Sequence, residues 1–312
     1  MFVKVLSSLL ITFLLLSCYP QMREPADPDI AFKYYSRAIE QFQAKNYQDA
    51  LIYIDQAIEK NNRLAKYFEL RGDINNRQGM NINALEDYNK ALRLRSFYPE
   101  VYIKIAAINY KADNFDESIR NYRKALAQDP ENFDLILEIA ENYIQQLHTD
   151  IAQYQLQDYL NGIKKSEIRI NRKYYVLMAK LNFELQNYKI VVENIRTAEK
   201  YMPLNRNECV FYLRAMIETG ALEQAYTLVT NKYKETVNES DFHFLRGLYY
   251  QKQGNIKDAR TQLELSVAKK TTIFEAYTLL ASLYNQMGET AKEQDILALG
   301  KQFEGARLIN LE

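Results

Sequence analysis

The chain has 312 residues, of which 47% are hydrophobic and 26% are charged, and it contains nine Gly, six Pro and no Trp. This composition is typical of a folded, helix-rich protein and excludes an intrinsically disordered chain. The 40 Lys and Arg residues are balanced by 40 Asp and Glu residues. That balance excludes nucleic-acid binding through a strongly basic surface, so we expect partners to be recognised by local shape and chemistry.

The N-terminal residues have the pattern of a signal peptide. Lys4 precedes an apolar run that is shorter than the ~20 residues needed to span a bilayer. The run ends in LLSC, residues 15–18, which resembles the bacterial lipoprotein signal, although Leu16 is bulkier than that signal prefers. We therefore expect residues 1–17 to be a signal peptide and Cys18 to carry a lipid anchor that holds the protein on a membrane.

Residues 18–30 are predicted to be an extended tether. Three prolines, Pro20, Pro25 and Pro28, prevent a continuous helix through this stretch. A dozen extended residues reach about 40 Å at most. We therefore expect the protein to bind its partners close to the membrane surface.

A 34-residue pattern recurs after the tether. Small residues fall in step in the first three copies, for example Ala57, Ala91 and Ala125. Large apolar residues recur at one offset in every copy, as Ile54, Tyr88, Tyr122, Leu156, Ile195, Val229, Leu263 and Leu297.

This period and these residues resemble the tetratricopeptide repeat, in which each unit is a helix A, a turn and a helix B. The resemblance implies an all-α fold, a right-handed α-solenoid of about eight helix-turn-helix repeats. We place repeats one to four in residues 31–171, with an insertion near residues 167–171. Repeats five to eight then occupy residues 172–312 and end in a C-terminal cap. The repeats are predicted to begin near Ala31, Ala65, Pro99, Phe133, Arg172, Arg206, Ser240 and Phe274.

The turns between helices A and B also carry a pattern. Four repeats place a glycine there, where a helix end commonly needs a positive φ. In the repeats without glycine we expect Asn46, Asn114 and Asn187 to serve nearby. Tyr159 and Lys232 occupy a position at which the other repeats have a small residue, so we expect wider helix crossings in those repeats.

The resemblance implies that one face of each helix A lines a concave surface that binds protein or peptide partners. In repeat one this face would carry Phe32, Tyr35, Ile39 and Phe42, which predicts a hydrophobic pocket near the tether. The alternatives are that this stripe packs against the tether, or that it reflects a shifted helix phase. Further candidate residues along the same face are Ile103, Tyr110, Leu137, Ile144, Phe183 and Phe244.

No catalytic or metal-binding motif is found in the sequence. His148 and His243 have no His or Cys at ligand spacing. We therefore expect no catalytic residue, metal or cofactor. The leading hypothesis is a non-catalytic scaffold, lipid-anchored in a bacterial cell envelope, that supports assembly of an envelope complex. The alternatives are a self-associating structural component of an envelope or motility apparatus, and an accessory that presents substrates to an envelope enzyme.

Overall fold

The computed structural model describes residues 27–304. Within this range every regular element is helical, and the helices follow one another as eight hairpins. The predicted all-α fold of eight two-helix repeats is confirmed. The signal peptide, Cys18 and most of the tether lie outside the described residues. The first and second helices of the hairpins are α1 Pro28–Gln43, α2 Tyr47–Lys60, α3 Ala65–Arg77, α4 Asn81–Leu94, α5 Pro99–Lys111, α6 Phe115–Gln128, α7 Asp134–Gln145, α8 Thr149–Lys165, α9 Arg172–Glu184, α10 Tyr188–Glu199, α11 Arg206–Glu218, α12 Leu222–Thr227, α13 Glu239–Lys252, α14 Ile256–Ala268, α15 Phe274–Gln286 and α16 Thr290–Gly300.

The described residues belong to two compact units. Unit 1 ends at Ala112 and holds α1 to α5, and unit 2 begins at Asp113 and holds α6 to α16. This division falls between α5 and α6.

The first helix shows how the sequence starts these hairpins. The Asp27 side chain accepts a hydrogen bond from the backbone N–H of Ile30 at 3.0 Å, and Pro28 occupies the first helical turn. An acidic N-cap satisfies an otherwise unpaired N–H, and a proline there loses no helical hydrogen bond. The helix therefore begins three residues before Ala31, the predicted start of the first repeat, and includes the last residues of the predicted tether.

The repeated apolar position builds the core of both units. Seven of its eight residues are buried, but Leu297 is 40% exposed, since α16 is the last helix of the described range. Small residues allow the close approach that this packing needs. A Cβ added to Gly72 would lie 2.6 Å from a ring carbon of Tyr88, so glycine is required for α3 to meet α4.

The turns between paired helices use positive φ, as predicted. Gly79, Gly220, Gly254 and Gly288 have φ between 73° and 81°. The expectation for the asparagines was wrong by one residue: Lys45, Asp113 and Gln186, which precede them, carry the positive φ. Each asparagine instead lies at the N-cap position of the following helix, with a negative φ.

The second helix of hairpin six is irregular. It is α-helical only over Leu222–Thr227 and continues as a π-helical turn over Leu228–Lys232. This irregular segment includes Lys232, which occupies the position where most other hairpins have a small residue.

In the part of the chain that the structure describes, no helix is long and apolar enough to cross a lipid bilayer.

Candidate functional site

Four apolar residues on α1, Phe32, Tyr35, Ile39 and Phe42, form a surface that we call the aromatic face. Their spacing of three and four residues places them on one side of the helix. Phe32 is 54% exposed, while the other three are half-buried against the core of unit 1. Three residues of the aromatic face therefore pack against the core, and Phe32 presents an exposed ring to solvent.

Lys66 on α3 completes this surface. Its ammonium nitrogen lies 4.8 Å from the ring centre of Tyr35, 5.2 Å from that of Phe32 and 5.8 Å from that of Tyr67. The faces of aromatic rings attract cations at such distances. Among residues 27–304, no carboxylate forms an ion pair with Lys66. The surface therefore combines an exposed aromatic ring with a cation that has no acidic partner in this range.

The other charges on the same side of α3 are neutralised within unit 1. Lys104 of α5 lies 2.7 Å from Glu69 and 2.8 Å from Asp73. The Tyr88 hydroxyl donates to Asp73 at 2.7 Å, and the Tyr98 hydroxyl donates to Glu69. Burial opposes the charge of Lys104, but these two carboxylates outweigh it and raise the pKa of Lys104. Beside this paired network, Lys66 is the cation that remains for an acidic partner.

The sequence did not indicate the part that Tyr98 and Lys104 play, because they come from the third hairpin and lie outside the predicted face positions. Of the predicted residues in that hairpin, Ile103 and Tyr110 are half-buried on α5. Six of the ten predicted contact residues thus belong to unit 1.

In unit 2, three of the residues predicted to line the binding surface are buried instead. Leu137, Ile144 and Phe244 are buried, so they cannot line an open binding surface. Phe183 is half-buried, with its ring centre 5.5 Å from that of Tyr188 and 5.2 Å from that of Phe211.

Ion pairs join the first helices of successive hairpins on this side of unit 2. Lys173 and Lys180 of α9 both reach Glu141 of α7, at 2.7 and 2.9 Å, and cover the helix that carries Leu137 and Ile144. Burial would raise the pKa of Glu141, but the two lysines outweigh it and lower that pKa to about 2.

A second set of ion pairs bridges non-adjacent hairpins. Arg214 of α11 pairs with Glu275 of α15 at 2.6 Å, although α13 with Phe244 lies between them in the chain. Arg214 also pairs with Glu218 of its own helix. First helices two hairpins apart thus bring their side chains together, and Phe244 is buried in the hydrophobic core of unit 2.

The residues with potential chemistry are dispersed. His148 is exposed at the start of α8, and His243 lies 2.8 Å from Gln262 of the following helix. Cys209 is buried, and burial raises the pKa of its thiol to about 12, which disfavours a reactive thiolate. Within residues 27–304, no group of three or more His, Cys, Asp or Glu side chains could hold a metal ion.

Comparison with known sequences gives the following matches. The sequence model of the tetratricopeptide repeat matches residues 99–132. The TPR repeat-containing protein MJ1428 of Methanocaldococcus jannaschii is 28% identical over 228 residues, which are 69% of this chain and 38% of that protein. A wheat protein, the Hsp70-Hsp90 organizing protein of Triticum aestivum, is 23% identical over 44% of this chain and 24% of its own length. The chain thus spans well under half of either relative.

Solved structures show the same fold. A tetratricopeptide repeat protein from Parabacteroides merdae matches 88% of this chain and 99% of its own, with a TM-score of 0.62 and 14% identity. The pilF protein of Pseudomonas aeruginosa matches 72% of this chain and 97% of its own, with a TM-score of 0.54 and 14% identity. At these identities the likeness concerns the arrangement of helices.

Proposed function

We propose that this chain, a tetratricopeptide-repeat protein, is a non-catalytic adaptor that binds a protein partner through the aromatic face and Lys66. The observation that carries this proposal is the contrast between the two units. In unit 2 the corresponding helix faces are covered by ion pairs, whereas unit 1 keeps an exposed ring at Phe32. Aromatic residues are enriched where proteins bind one another.

The chemistry of the surface indicates the kind of partner segment. Phe32 and the edges of Tyr35 and Phe42 accept apolar side chains, and Lys66 accepts a carboxylate. An amphipathic helix with one acidic residue among its apolar anchors supplies both groups. The Glu69 and Asp73 carboxylates, paired with Lys104, border this surface and disfavour segments that carry more than one carboxylate.

We further propose that Cys18 is lipidated and holds the protein on a membrane of a bacterial cell envelope, at its periplasmic face or on the cell surface. The proposal rests on the sequence before residue 27. It places the aromatic face close to the membrane, because α1 begins at Pro28. There the adaptor would assist assembly of an envelope complex.

The binding proposal is tested by cross-linked capture from membranes of the native cell. The test variant combines Phe32→Ser with Lys66→Gln, and the control is Ile82→Ser. Ile82 is 74% exposed on α4 and lies outside the aromatic face. A partner that is captured by the wild type and the control but lost with the test variant supports the proposal. Equal capture by all three proteins, after urea unfolding has shown equal stability, would overturn it.

The anchor is tested separately. Cys18→Ser should move the protein from the membrane fraction to the soluble fraction and abolish incorporation of labelled palmitate. Membrane retention and labelling by the variant would contradict the anchor but leave the binding proposal intact.

A further inference from the structure

A cleft of about 540 Å³ lies between α10 of hairpin five and the helices α11 and α12 of hairpin six. Its volume lies within the range of roughly 300–1,000 Å³ typical of small-ligand sites. The floor is made by Tyr212, Met216 and Tyr233, which are all buried while lining the cleft. The cleft is separate from the aromatic face, because all its residues belong to unit 2.

The sequence explains why the cleft opens at hairpin six. The equivalent position of Lys232 is a buried alanine in four other hairpins, at Ala57, Ala91, Ala125 and Ala198. Lys232 is exposed, and the chain around it forms the π-helical turn Leu228–Lys232. Single π-helical turns occur frequently at functional sites. The irregular helix therefore leaves open the space that a regular second helix would fill.

Of the four charged side chains that line the cleft, Lys232 and Glu199 form an ion pair. Lys232 lies 2.6 Å from Glu199, which also accepts a hydrogen bond from the Tyr233 hydroxyl at 2.9 Å. Glu223 accepts a hydrogen bond from the Tyr249 hydroxyl at 2.8 Å. Among residues 27–304, neither Arg196 nor Glu223 forms an ion pair, so Arg196 is the lining cation that has no acidic partner in this range.

Arg196 is oriented by the floor of the cleft. Its Nε donates to the Tyr212 hydroxyl at 3.0 Å, and among residues 27–304 it forms no ion pair. The two terminal nitrogens of the guanidinium thus have no protein acceptor in this range. A guanidinium held in this way can bind both oxygens of a carboxylate at once.

We propose that this cleft is a second binding site, for a carboxylate joined to an apolar group of about leucine size. The carboxylate pairs with Arg196, and the apolar group packs on Met216 and Leu228. A free organic acid and the end of a polypeptide both present this chemistry. The site is independent of the aromatic face, so its failure would leave the proposed adaptor function unaffected.

The test titrates the full chain with N-acetyl-leucine and follows the methyl NMR signals of Met216 and Leu228. N-acetyl-leucinamide has the same apolar group without the charge and serves as the ligand control. We expect saturable shifts with a dissociation constant on the order of 1 mM for the acid, and binding at least tenfold weaker for the amide, which corresponds to about 1.4 kcal/mol. A pentapeptide ending in leucine with a free carboxylate identifies the source: tighter binding assigns a polypeptide end, and equal binding assigns a free acid.

Two variants locate the site, and a third is the matched control. Arg196→Gln removes the cation, and Gln224→Trp fills the cleft from its exposed side. Each substitution should weaken the binding of N-acetyl-leucine at least tenfold. Arg123→Gln should have no effect, although Arg123 has the same repeat position and also donates to a tyrosine hydroxyl, that of Tyr143 at 2.8 Å. The absence of saturable shifts, equal binding of acid and amide, or unchanged binding by Arg196→Gln would each overturn the proposal.

Discussion

Lys66 and Tyr35 lie on the first helices of adjacent hairpins, and the Lys66 ammonium nitrogen is 4.8 Å from the centre of the Tyr35 ring. The proposed binding surface is therefore built jointly by α1 and α3. In unit 2 the comparable cation Arg214 is instead neutralised by Glu218 and Glu275. Among residues 27–304, Arg214 thus has two carboxylate partners, whereas Lys66 has none.

Replacing Gly72 by alanine should destabilise the protein by about 1–3 kcal/mol. The added Cβ would lie 2.6 Å from the Tyr88 ring, and overpacking of this kind costs that amount. Helix propensity alone predicts the opposite, an increase of roughly 0.5–1 kcal/mol in the free energy of unfolding. Urea unfolding distinguishes the two, and an increase in the free energy of unfolding would show that α3 and α4 do not approach this closely.

Arg214→Gln should lower the free energy of unfolding by about 2–4 kcal/mol, because in a largely buried position it removes the ion-pair partner of Glu275 and one of the two partners of Glu218, which keeps Lys252. Arg120→Gln is the matched control. Arg120 pairs with Glu117 on the surface of α6, where ion pairs contribute less than about 1 kcal/mol. Similar losses in the two variants, measured by urea unfolding, would refute the bridging role of Arg214.

Glu141 should make stability depend on pH. Its pKa in the folded protein is about 2, below its ordinary value of 4.5, since Lys173 and Lys180 favour the carboxylate. The resulting stabilisation, on the order of 3 kcal/mol, is present above pH 4.5 and is lost as the pH falls toward about 2. Unfolding free energies measured between neutral and acidic pH should therefore decrease more for the wild type than for Glu141→Gln. Parallel pH profiles would contradict this assignment.

The repeated hairpins could be predicted from the sequence because their causes are local. Each helix pair needs a small residue where the helices touch, as at Gly72, and a residue with positive φ where the chain turns, as at Gly79. These demands recur every 34 residues and leave a visible pattern. The turns without glycine show the limit of such a pattern. The positive φ was expected near Asn46, but Lys45 adopts it, and lysine gives no compositional signal for this conformation.

The candidate sites were harder to predict because they depend on contacts without a period. Arg214 and Glu275 are 61 residues apart in the sequence, yet they form an ion pair. Nothing in the repeat register identifies that contact. The cleft between hairpins five and six does have a signal in the sequence. Lys232 replaces a small residue there, and the sequence predicted a wider helix crossing in that repeat.

The most direct test of the adaptor proposal is photo-cross-linking in the native cell. A photoreactive phenylalanine derivative is placed at position 32, in the aromatic face, and in a second protein at position 82 on α4, where Ile82 is also highly exposed. The proposal predicts a defined protein adduct from position 32 that disappears when Lys66 is replaced by Gln, and no such adduct from position 82. The same adducts from both positions, or an adduct from position 82 alone, would show that partners bind elsewhere and would contradict the assignment of the aromatic face.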